Sequence, residues 1–533
     1  MSVKMRSRRE FLGTAGVPLS AGLLAGSAKR MRAESGSSQA ARDASLPIEV
    51  ANGASPVRVK EAVLFPFDDH SIPMIWGLKL DLIMGKNPGA INPVVLRPGP
   101  PGTPDSESVR YYGTVIQVGN ELRMWYLGRG DKRKGGLLPL YAVSKDGVHW
   151  EKPRLGLVEY NGNKQNNVVQ LLEDKYSLGE SVVIYDPDDT EARRFKMVFE
   201  SAKYNNRLAV ACSPDGLRWT ESPRNPVGPW LEESGLVKYN GCYYVNGQGG
   251  GLYGGGRLRT MTTVASCDFE HWTDACAMSF RRGSTSDLRL DRWNTWEEVH
   301  LGASLMSRGN VIMGIYGMWH GDPAGDRSRV TIDLGLIVSN DALHFREPVP
   351  DFRFVPAREE QEVAPGRAAL AQGQGMVNLG DKTHYWYEAW GQPAGGIRMA
   401  TWEGDRFGFF RGFDKEFLPR DPYGRSLPAH FISCPMKLDR AGAGIFVNAD
   451  GLSNNSELTV ELLDHQFQKI PGYSSADCIP IRTSGLRQAA RWRTRQNLEV
   501  FSHPIRVRVN FGGIRPEDAK LYAVYVGGAA PMG

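Results

Sequence analysis

The residues with the clearest potential for chemistry are glutamates that come just before, or at the start of, short apolar stretches. Glu107, Glu180, Glu233 and Glu298 hold such positions at corresponding places along the chain. Paired carboxyl groups perform acid–base chemistry when their surroundings separate their pKa values, so that one keeps a proton while the other ionises. Four acids at corresponding places are a stronger signal than one, because a single glutamate is usually a solvated loop residue.

A repeated turn motif predicts the strands that would position these acids. The pattern Ser-x-Asp-x-x-x-aromatic recurs at 144–150, 213–219, 266–272 and 339–345, and a degenerate fifth copy lies at 397–407. Ser and Asp side chains satisfy the amides of a tight turn, and the aromatic residue packs back over the sheet. Two strand-like runs precede each copy, so the sequence predicts five units of three to four antiparallel strands. Such a repeat is typical of a five-bladed β-propeller, here over residues 55–424.

The pattern changes after about residue 425. Apolar and polar residues alternate in the segments 443–447, 457–462, 505–511 and 520–526, and the Ser-x-Asp signature disappears. Alternation of this kind predicts half-buried strands rather than further propeller blades. We therefore expect an all-β fold in which a C-terminal β-sandwich, over residues 425–533, follows the propeller.

The first 34 residues carry most of the basic character of the chain. They hold seven Lys or Arg and two Glu, while the whole chain has a net charge of +5, so the remainder is close to neutral. A near-neutral body predicts no nucleic-acid binding. The segment 7–12 (SRREFL) resembles a twin-arginine export signal, and the apolar run 11–28 is broken by Gly and Pro and is short for a membrane span. We expect a 1–34 leader, the twin-arginine translocase as export partner and a periplasmic or extracellular protein with no membrane contact in its mature form. Cleavage of the leader or its retention as an anchor is left open.

The six cysteines form no Cys-x-x-Cys pair, which argues against a structural zinc site. Because proteins of the twin-arginine route fold before export, we expect mostly free thiols, with one or two later disulfides as the alternative. We predict no metal ligands. The Asp68-Asp69-His70 segment leaves two interpretations open, namely a strand that closes the propeller with acids in the funnel, or a weak metal site.

A propeller with Ser-x-Asp-Gly-x-x-Trp turns followed by a sandwich resembles the five-bladed glycosidase superfamily, glycoside hydrolase families 32 and 43. The segments 299–304, 308–310, 314–320 and 372–375 look like those of exported bacterial family 32-like proteins. The resemblance implies a glycosidase that cleaves a polysaccharide or oligosaccharide, with one carboxylic acid protonating the leaving oxygen and a second carboxylate acting as nucleophile or base. No Asn-Asp-Pro-Asn-Gly motif occurs near the start, which weighs against fructan hydrolysis in particular.

In that superfamily the acids near the innermost strands do the chemistry. The resemblance thus makes Glu180 and Glu233 members of the catalytic set, with Glu107 or Glu298 completing it. Aromatic rings can stack on sugar faces while polar side chains bind hydroxyl groups. The substrate-binding residues we predict are His300, Trp319, His320, Gln372, Gln374 and Trp390. No cofactor is required, and Ca²⁺ on the central axis is an option that the resemblance allows.

Two further functional classes remain open at this point. The first is a propeller that binds carbohydrate without turnover, on a degenerate set of acids. The second is a phosphorylase or lyase on the same scaffold, because a fold hosts many functions. A phosphorylase needs a basic phosphate pocket, for which Arg281 with Arg282, or Arg308, are loose candidates. The sequence does not specify the sugar, the linkage or the stereochemistry of cleavage.

Overall fold

The protein is described here by a computed structural model that covers residues 47–85, 93–131, 136–172, 177–249, 259–282, 297–322, 324–357, 368–389, 396–413 and 427–528. Those residues form strands and a few three-residue 3₁₀ helices, so the expected all-β class is confirmed. None of the helices in these ranges has the length and hydrophobicity that crossing a membrane requires. The 1–34 leader that we expected lies outside the described residues.

Thirty-four strands are found in the described ranges. The strands before the first Ser-x-Asp turn are β1 (Ile48–Val50), β2 (Val57–Val59), β3 (Glu61–Leu64), β4 (Met74–Trp76), β5 (Leu78–Leu82), β6 (Val94–Leu96), β7 (Ser108–Val118), β8 (Glu121–Arg129) and β9 (Leu138–Ser144). Those of the middle region are β10 (Leu178–Tyr185), β11 (Phe195–Ser201), β12 (Ala209–Ser213), β13 (Thr220–Glu221), β14 (Leu231–Tyr239), β15 (Cys242–Gly249), β16 (Met261–Ser266), β17 (Ala277–Phe280), β18 (Glu297–Ser307), β19 (Ile312–His320), β20 (Thr331–Ser339), β21 (Arg353–Val355), β22 (Leu370–Leu379), β23 (Lys382–Ala389) and β24 (Ile397–Glu403). The remainder are β25 (Gly408–Gly412), β26 (His430–Ile432), β27 (Met436–Leu438), β28 (Gly444–Asp450), β29 (Glu457–Leu463), β30 (Cys478–Ile479), β31 (Gly485–Ala489), β32 (Arg491–Trp492), β33 (Arg506–Gly512) and β34 (Lys520–Gly527).

The repeat region folds into five successive antiparallel units. Their strand orders are β7-β8-β9, β10-β11-β12-β13, β14-β15-β16-β17, β18-β19-β20-β21 and β22-β23-β24-β6. The fifth unit is completed by β6, which comes from before the first unit and pairs with β24. One parallel pairing, Gln374 with Thr114, also joins β22 to β7, so the fifth and first units are continuous.

The first strands of the five units lie next to one another in a series that returns to its start. β7 contacts β10, β10 contacts β14, β14 contacts β18, β18 contacts β22, and β22 contacts β7. Hydrogen bonds cross between them, as when the amide of Val183 donates to the Thr114 hydroxyl over 2.9 Å. Gly235 and Gly375 permit this close approach, since an added Cβ would lie 2.0 Å from the Ala303 carbonyl oxygen and 2.3 Å from that of Val115.

The Ser-x-Asp turns have the hydrogen bonds that the sequence predicts. In the first turn the Ser144 hydroxyl accepts from the amides of Asp146 and Gly147, and one Asp146 carboxylate oxygen accepts from the amides of Val148 and His149. The turns that begin at Ser213, Ser266 and Ser339 repeat this arrangement. These turns fix where each third strand ends and the next begins.

Every first strand has an irregularity in its pairing with the second strand of its unit. The register shifts lie between Arg110 and Thr114, Leu178 and Ser181, Glu233 and Gly235, His300 and Ala303, and Gln372 and Met376. Bulges of this kind re-aim side chains and are common beside active sites. The five irregularities therefore bring one short section of each first strand to a common region.

The C-terminal region contains two antiparallel sheets that share one hydrophobic core. One sheet has the order β31-β28-β34-β25-β5, with β3 also on β34, and the other has the order β29-β33-β26-β4. Ile445 and Val526 of the first sheet and Val460 and Val509 of the second belong to the same buried cluster. Strands β3, β4, β5 and β25 lie outside the 425–533 range, so these sheets recruit segments from 61–82 and 408–412 that we had expected in the propeller.

The Asp68-Asp69-His70 segment connects the N-terminal segment to the fourth unit. A carboxylate oxygen of buried Asp68 accepts from Arg346 over 2.9 Å and the other from Asn340 over 3.1 Å. The His70 ring nitrogen Nδ1 lies 3.2 Å from the Asn52 carbonyl oxygen. Asn340 and Arg346 follow the end of β20, so in this structure the acids of the segment pack it against the fourth unit.

Of the six cysteines, Cys242 and Cys267 form a disulfide that ties the start of β15 to the turn after β16. Cys212, Cys276, Cys434 and Cys478 are free. Four free thiols and one disulfide match the expectation of mostly free thiols, with a disulfide in addition.

Candidate active site

Three carboxyl groups meet at the irregular sections of the first strands. Glu180 comes from β10, Glu200 from the end of β11, and Glu233 from β14. One carboxyl oxygen of each lies within 4.8 Å of those of the other two. The three residues are 9%, 8% and 1% exposed, respectively. Two of them, Glu180 and Glu233, are acids that the sequence singled out.

Local backbone geometry explains why the three groups converge. Glu180 lies within the register shift of β10, and Glu233 directly precedes the shift of β14. Gly179 leaves the space that Glu200 occupies, because a Cβ at Gly179 would lie 2.9 Å from the Glu200 carboxyl oxygen Oε2. A larger residue at position 179 would therefore push Glu200 away from the cluster.

The environment of the cluster favours protonated carboxyl groups. Burial, together with the charges of Glu200 and Glu232, raises the pKa of Glu233 well above its ordinary value. Burial also raises the pKa of Glu180, as do a hydrogen bond and the charge of Glu200 beside it. Neither carboxyl oxygen of Glu233 has a hydrogen-bond partner among the described residues. A proton on Glu233 is thus free for donation to a bound molecule.

Glu200 is the member of the cluster that sequence reasoning missed. We looked for acids only before first strands, whereas Glu200 lies near the end of a second strand. All seven residues of β11, from Phe195 to Ser201, are buried. A glutamate inside a run that otherwise reads as core strand was the available signal, because charged side chains are rarely buried without a reason.

Glu107 and Glu298 lie outside the cluster. Glu107 is exposed, just before β7, and its backbone amide donates to the Arg129 carbonyl oxygen over 2.9 Å. Glu298 is buried on β18, with its carboxyl oxygen Oε2 3.8 Å from Nε of Arg259. Burial raises the pKa of Glu298 to about 7, although the Arg259 charge opposes the shift. Glu298 therefore titrates near neutral pH at the edge of the site.

Trp319 and His300 form a buried stack beside Glu298. Their ring centroids lie 5.8 Å apart with an interplanar angle of 22°. Trp319 is 0% exposed, and the guanidinium of Arg259 covers its ring at 4.3 Å from the centroid. A ring that is closed off in this way supports its neighbours and offers no face to a sugar, in contrast to the platform that we predicted.

His320 is held between two carboxylates. Its Nδ1 lies 2.7 Å from Glu297 and its Nε2 lies 2.9 Å from Asp333. Burial opposes protonation, yet these hydrogen bonds raise the pKa of His320 to about 9. Both ring nitrogens of the imidazolium are therefore engaged in linking β18, β19 and β20, which leaves His320 a structural role.

Gln372 and Gln374 join the first strands to one another. The amide nitrogen of Gln372 donates to the carbonyl oxygens of His300 and Gly302 and to the Ser234 hydroxyl. The Gln374 side chain accepts from the amide of Leu236 and donates to its carbonyl oxygen, both over 2.7 Å. Both residues, which we predicted to bind substrate, thus hold together the strands that position the acids.

Trp390 and Trp230 are two further tryptophans to consider for stacking on a sugar ring. Trp390, which we predicted to bind substrate, lies outside the described residues. Trp230, immediately before β14, is 38% exposed. Trp230 thus offers an accessible indole at the start of the strand that bears Glu233.

No protein-family model matches the chain. The uncharacterized protein Rv1502 of Mycobacterium tuberculosis is 32% identical over 153 residues, which are 27% of this chain and 46% of the relative. The match therefore spans about half the length of that relative.

The structure is similar to those of glycoside hydrolases. A glycosyl hydrolase from Bacteroides ovatus has 15% identity and a TM-score of 0.40, over 64% of this chain and 100% of that one. The Bombyx mori GH32 beta-fructofuranosidase BmSUC1 has 11% identity and a TM-score of 0.39, over 83% of this chain and 94% of that one. At such identities and TM-scores, function has to be argued from the residues of the site itself.

Proposed function

We propose that this protein is an exported glycoside hydrolase whose active site is the carboxyl cluster of Glu180, Glu200 and Glu233. The observation that carries the proposal is the convergence of three largely buried carboxyl groups, from two different sheets, within 4.8 Å. Glycosidic hydrolysis needs a proton donor and an ionised carboxylate at short range, and in this cluster burial raises the pKa of Glu180 and Glu233.

The architecture that we propose around the site is a five-bladed propeller followed by a sandwich. The five antiparallel units would be the blades, and their first strands, which contact one another in a returning series, would line the centre. Strand β6, which completes the fifth unit from the N-terminal side, would close the propeller. In that arrangement the cluster lies at the centre, where a substrate can reach acids from two blades.

In the proposed reaction Glu233 is the general acid. It would protonate the glycosidic oxygen as the bond from the anomeric carbon to that oxygen breaks. The hydrogen-bonded pair of Glu180 and Glu200 would supply the carboxylate that acts on the anomeric carbon or on a water molecule. Water supplies the hydroxyl of the released sugar, and its other proton restores the acid.

The spacing within the cluster favours retention of anomeric configuration. Retaining glycosidases place their two carboxyl groups about 5–5.5 Å apart, whereas inverting enzymes need about 6.5–9.5 Å to admit a water. One carboxyl oxygen of each residue lies within 4.8 Å of those of the other two, and on this close approach we propose the shorter class. The nucleophile in that case comes from the Glu180 and Glu200 pair.

Phosphorolysis is a weaker alternative for this site. Arg282 is paired with Glu297 and Asp351, each over 2.7 Å, and Arg308 is paired with Asp405. A phosphate-binding pocket needs cationic donors that are not already neutralised. Arg282 and Arg308, two of the three arginines that the sequence offered for phosphate, are thus committed to carboxylates, which favours water as the acceptor.

Export by the twin-arginine translocase is part of the proposal and rests on the segment 7–12. The disulfide between Cys242 and Cys267 supports it, because disulfides persist in oxidising compartments such as the periplasm. We propose that turnover needs no cofactor. Treatment with a chelator should then leave the rate unchanged, whereas restoration of a lost rate by Ca²⁺ would require a cation in the mechanism.

A product screen tests the proposed function. Purified protein is incubated with plant, algal and bacterial polysaccharides and with aryl furanosides and pyranosides, beside E233Q and the control E107Q. Sugar release by wild type and E107Q, but not by E233Q, supports a hydrolase. Sugar binding by all three proteins without release would instead establish a carbohydrate-binding propeller, and release only with inorganic phosphate would establish a phosphorylase.

A further inference from the structure

Arg259 lies at the junction of the third and fourth units, next to the carboxyl cluster. It precedes β16, and its carbonyl oxygen accepts from the Val299 amide of β18 over 3.2 Å. Its backbone thus joins a strand of one unit to the first strand of the next. Neither the sequence nor the chemistry proposed above assigns a role to this residue.

The side chain of Arg259 is fixed on three sides. Its guanidinium lies 4.3 Å from the centroid of the Trp319 ring. Its Nη1 donates to the Gln248 side-chain oxygen over 2.7 Å, and its Nε lies 3.8 Å from the Glu298 carboxyl oxygen Oε2. The side chain is 20% exposed. A planar guanidinium held by stacking and by hydrogen bonds has little freedom left to lose.

The charged and titratable groups that face Arg259 are Glu232, Glu298, Arg327 and Tyr112. Glu232 lies directly opposite Gln248 in the ladder of β14 and β15, so the Arg259 guanidinium is bound to the cross-strand neighbour of Glu232. Burial raises the pKa of Glu232, whereas the charge of Arg259 opposes that shift. Glu232 in turn directly precedes Glu233, the proposed acid. The charge of Arg259 therefore acts on two carboxyl groups, those of Glu232 and Glu298.

We propose that Arg259 is a positioning residue that favours the ionised forms of Glu232 and Glu298, so that the proton needed for catalysis stays on Glu233. The inference rests on the proposed function and deepens it by adding an electrostatic partner to the carboxyl cluster. Arg259 acts through the flanking carboxyl groups and does not itself exchange a proton. Trp319 and Gln248 hold its charge at a fixed distance from them.

The test compares R259M, which removes the charge, with R259K, which keeps it. The matched control is R406M, because Arg406 also covers an aromatic ring, that of Tyr522 at 4.5 Å, and hydrogen-bonds the side-chain amide oxygen of Asn448, both on strands of the C-terminal sheets. Two readouts are used on the full chain, namely the pH–rate profile of kcat/KM and isotope-edited infrared titration of the glutamate carboxyl groups. E232Q and E298Q assign the infrared bands.

In R259M we expect the carboxyl titrations of Glu232 and Glu298 to move up by about 1 pH unit or more. The alkaline limb of the pH–rate profile, which reports the proton on Glu233, should move to lower pH because a protonated Glu232 no longer raises the pKa of Glu233. R259K should return both readouts towards wild type. Titrations unchanged in R259M, with only a lower unfolding temperature, would overturn the inference and leave Arg259 as a packing residue. The infrared titration needs no substrate, so failure of the proposed function, seen as no turnover by wild type, is distinguishable from failure of this inference.

Discussion

Glu180 and Glu233 lie on the first strands of different sheets, yet their carboxyl oxygens come within 4.8 Å of each other. Like charges at this distance in a buried site repel strongly, so at least one of the two carboxyl groups holds its proton. In the folded protein Glu180 and Glu233 therefore carry at least one proton between them, whereas both would be ionised in water at neutral pH. The pH dependence of stability and of activity follows from this arrangement.

Stability should fall as the pH rises through the titration of Glu180 and Glu233. Burial raises the pKa of both groups in the folded protein, so protonation stabilises the native state. This contribution is fully present below the unfolded value of about 4.3 and is lost as the pH passes the folded pKa values. The urea midpoint measured against pH should therefore slope less in the E180Q/E233Q double variant than in wild type. Parallel curves for the two proteins would mean that these carboxyl groups are ionised in the native state.

Glu298 should contribute a titration near neutral pH. Its folded pKa is about 7, raised by burial against the opposing charge of Arg259, so its stabilising contribution disappears between about 4.3 and 7. In E298Q this part of the stability curve should flatten, while the contribution of Glu180 and Glu233 remains. The check is differential scanning fluorimetry of both proteins across this interval. An E298Q curve that keeps the wild-type slope up to pH 7 would assign the titration to another group.

His320 should stabilise the fold in the same sense as these carboxyl groups but over a more alkaline interval. Hydrogen bonds to Asp333 and Glu297 raise its pKa to about 9 despite burial, so its contribution is complete below about 6.5 and is lost as the pH rises through 9. We expect H320Q to lower the free energy of unfolding by on the order of 3 kcal/mol at pH 6 and by much less at pH 10. Urea denaturation at both values measures the difference. A loss that is equal at both pH values would contradict the charged bridge.

Gln374 should matter for stability and not for substrate affinity. In Q374L the amide and carbonyl groups of Leu236 lose their buried partners, which should cost about 2–4 kcal/mol. Q117L is the control, since Gln117 is exposed and hydrogen-bonds only the Gly119 carbonyl oxygen. The measurements are urea unfolding and, at a temperature where the variant is folded, KM. A raised KM with unchanged stability would restore the substrate-binding role that the sequence suggested.

Some parts of the fold were predictable because their signals are local. The Ser-x-Asp turn carries its own hydrogen bonds within a few residues, so its recurrence at Ser144, Ser213, Ser266 and Ser339 marked four of the five units without any tertiary information. The pairing of β3 with β34, by contrast, joins residue 61 to residue 527. No local pattern specifies so distant a partner. The sequence therefore left the segment 61–82 in the predicted propeller, whereas its strands join the C-terminal sheets.

The part of the site that depends on the order of the strands was predictable from the sequence. Glu180 and Glu233 lie near the start of corresponding strands, and the sequence shows that position. Glu200 joins them because a register shift in β10 and the missing side chain of Gly179 make room for it, and neither effect is visible in residue types alone. Trp319 and His320 were misjudged because burial and pairing with Arg259, Glu297 and Asp333 depend on three strands at once.

The most direct test of the central claim is the turnover of wild type, E180Q, E200Q, E233Q and E107Q on one substrate from the product screen, with the fold of each checked by circular dichroism. Because a positioned acid or base contributes about 10²–10⁴-fold, each variant of the cluster should lose at least about 100-fold in kcat. E107Q should match wild type. Near-wild-type turnover in E200Q and E233Q, with the protein folded, would contradict the account and place the chemistry elsewhere in the chain.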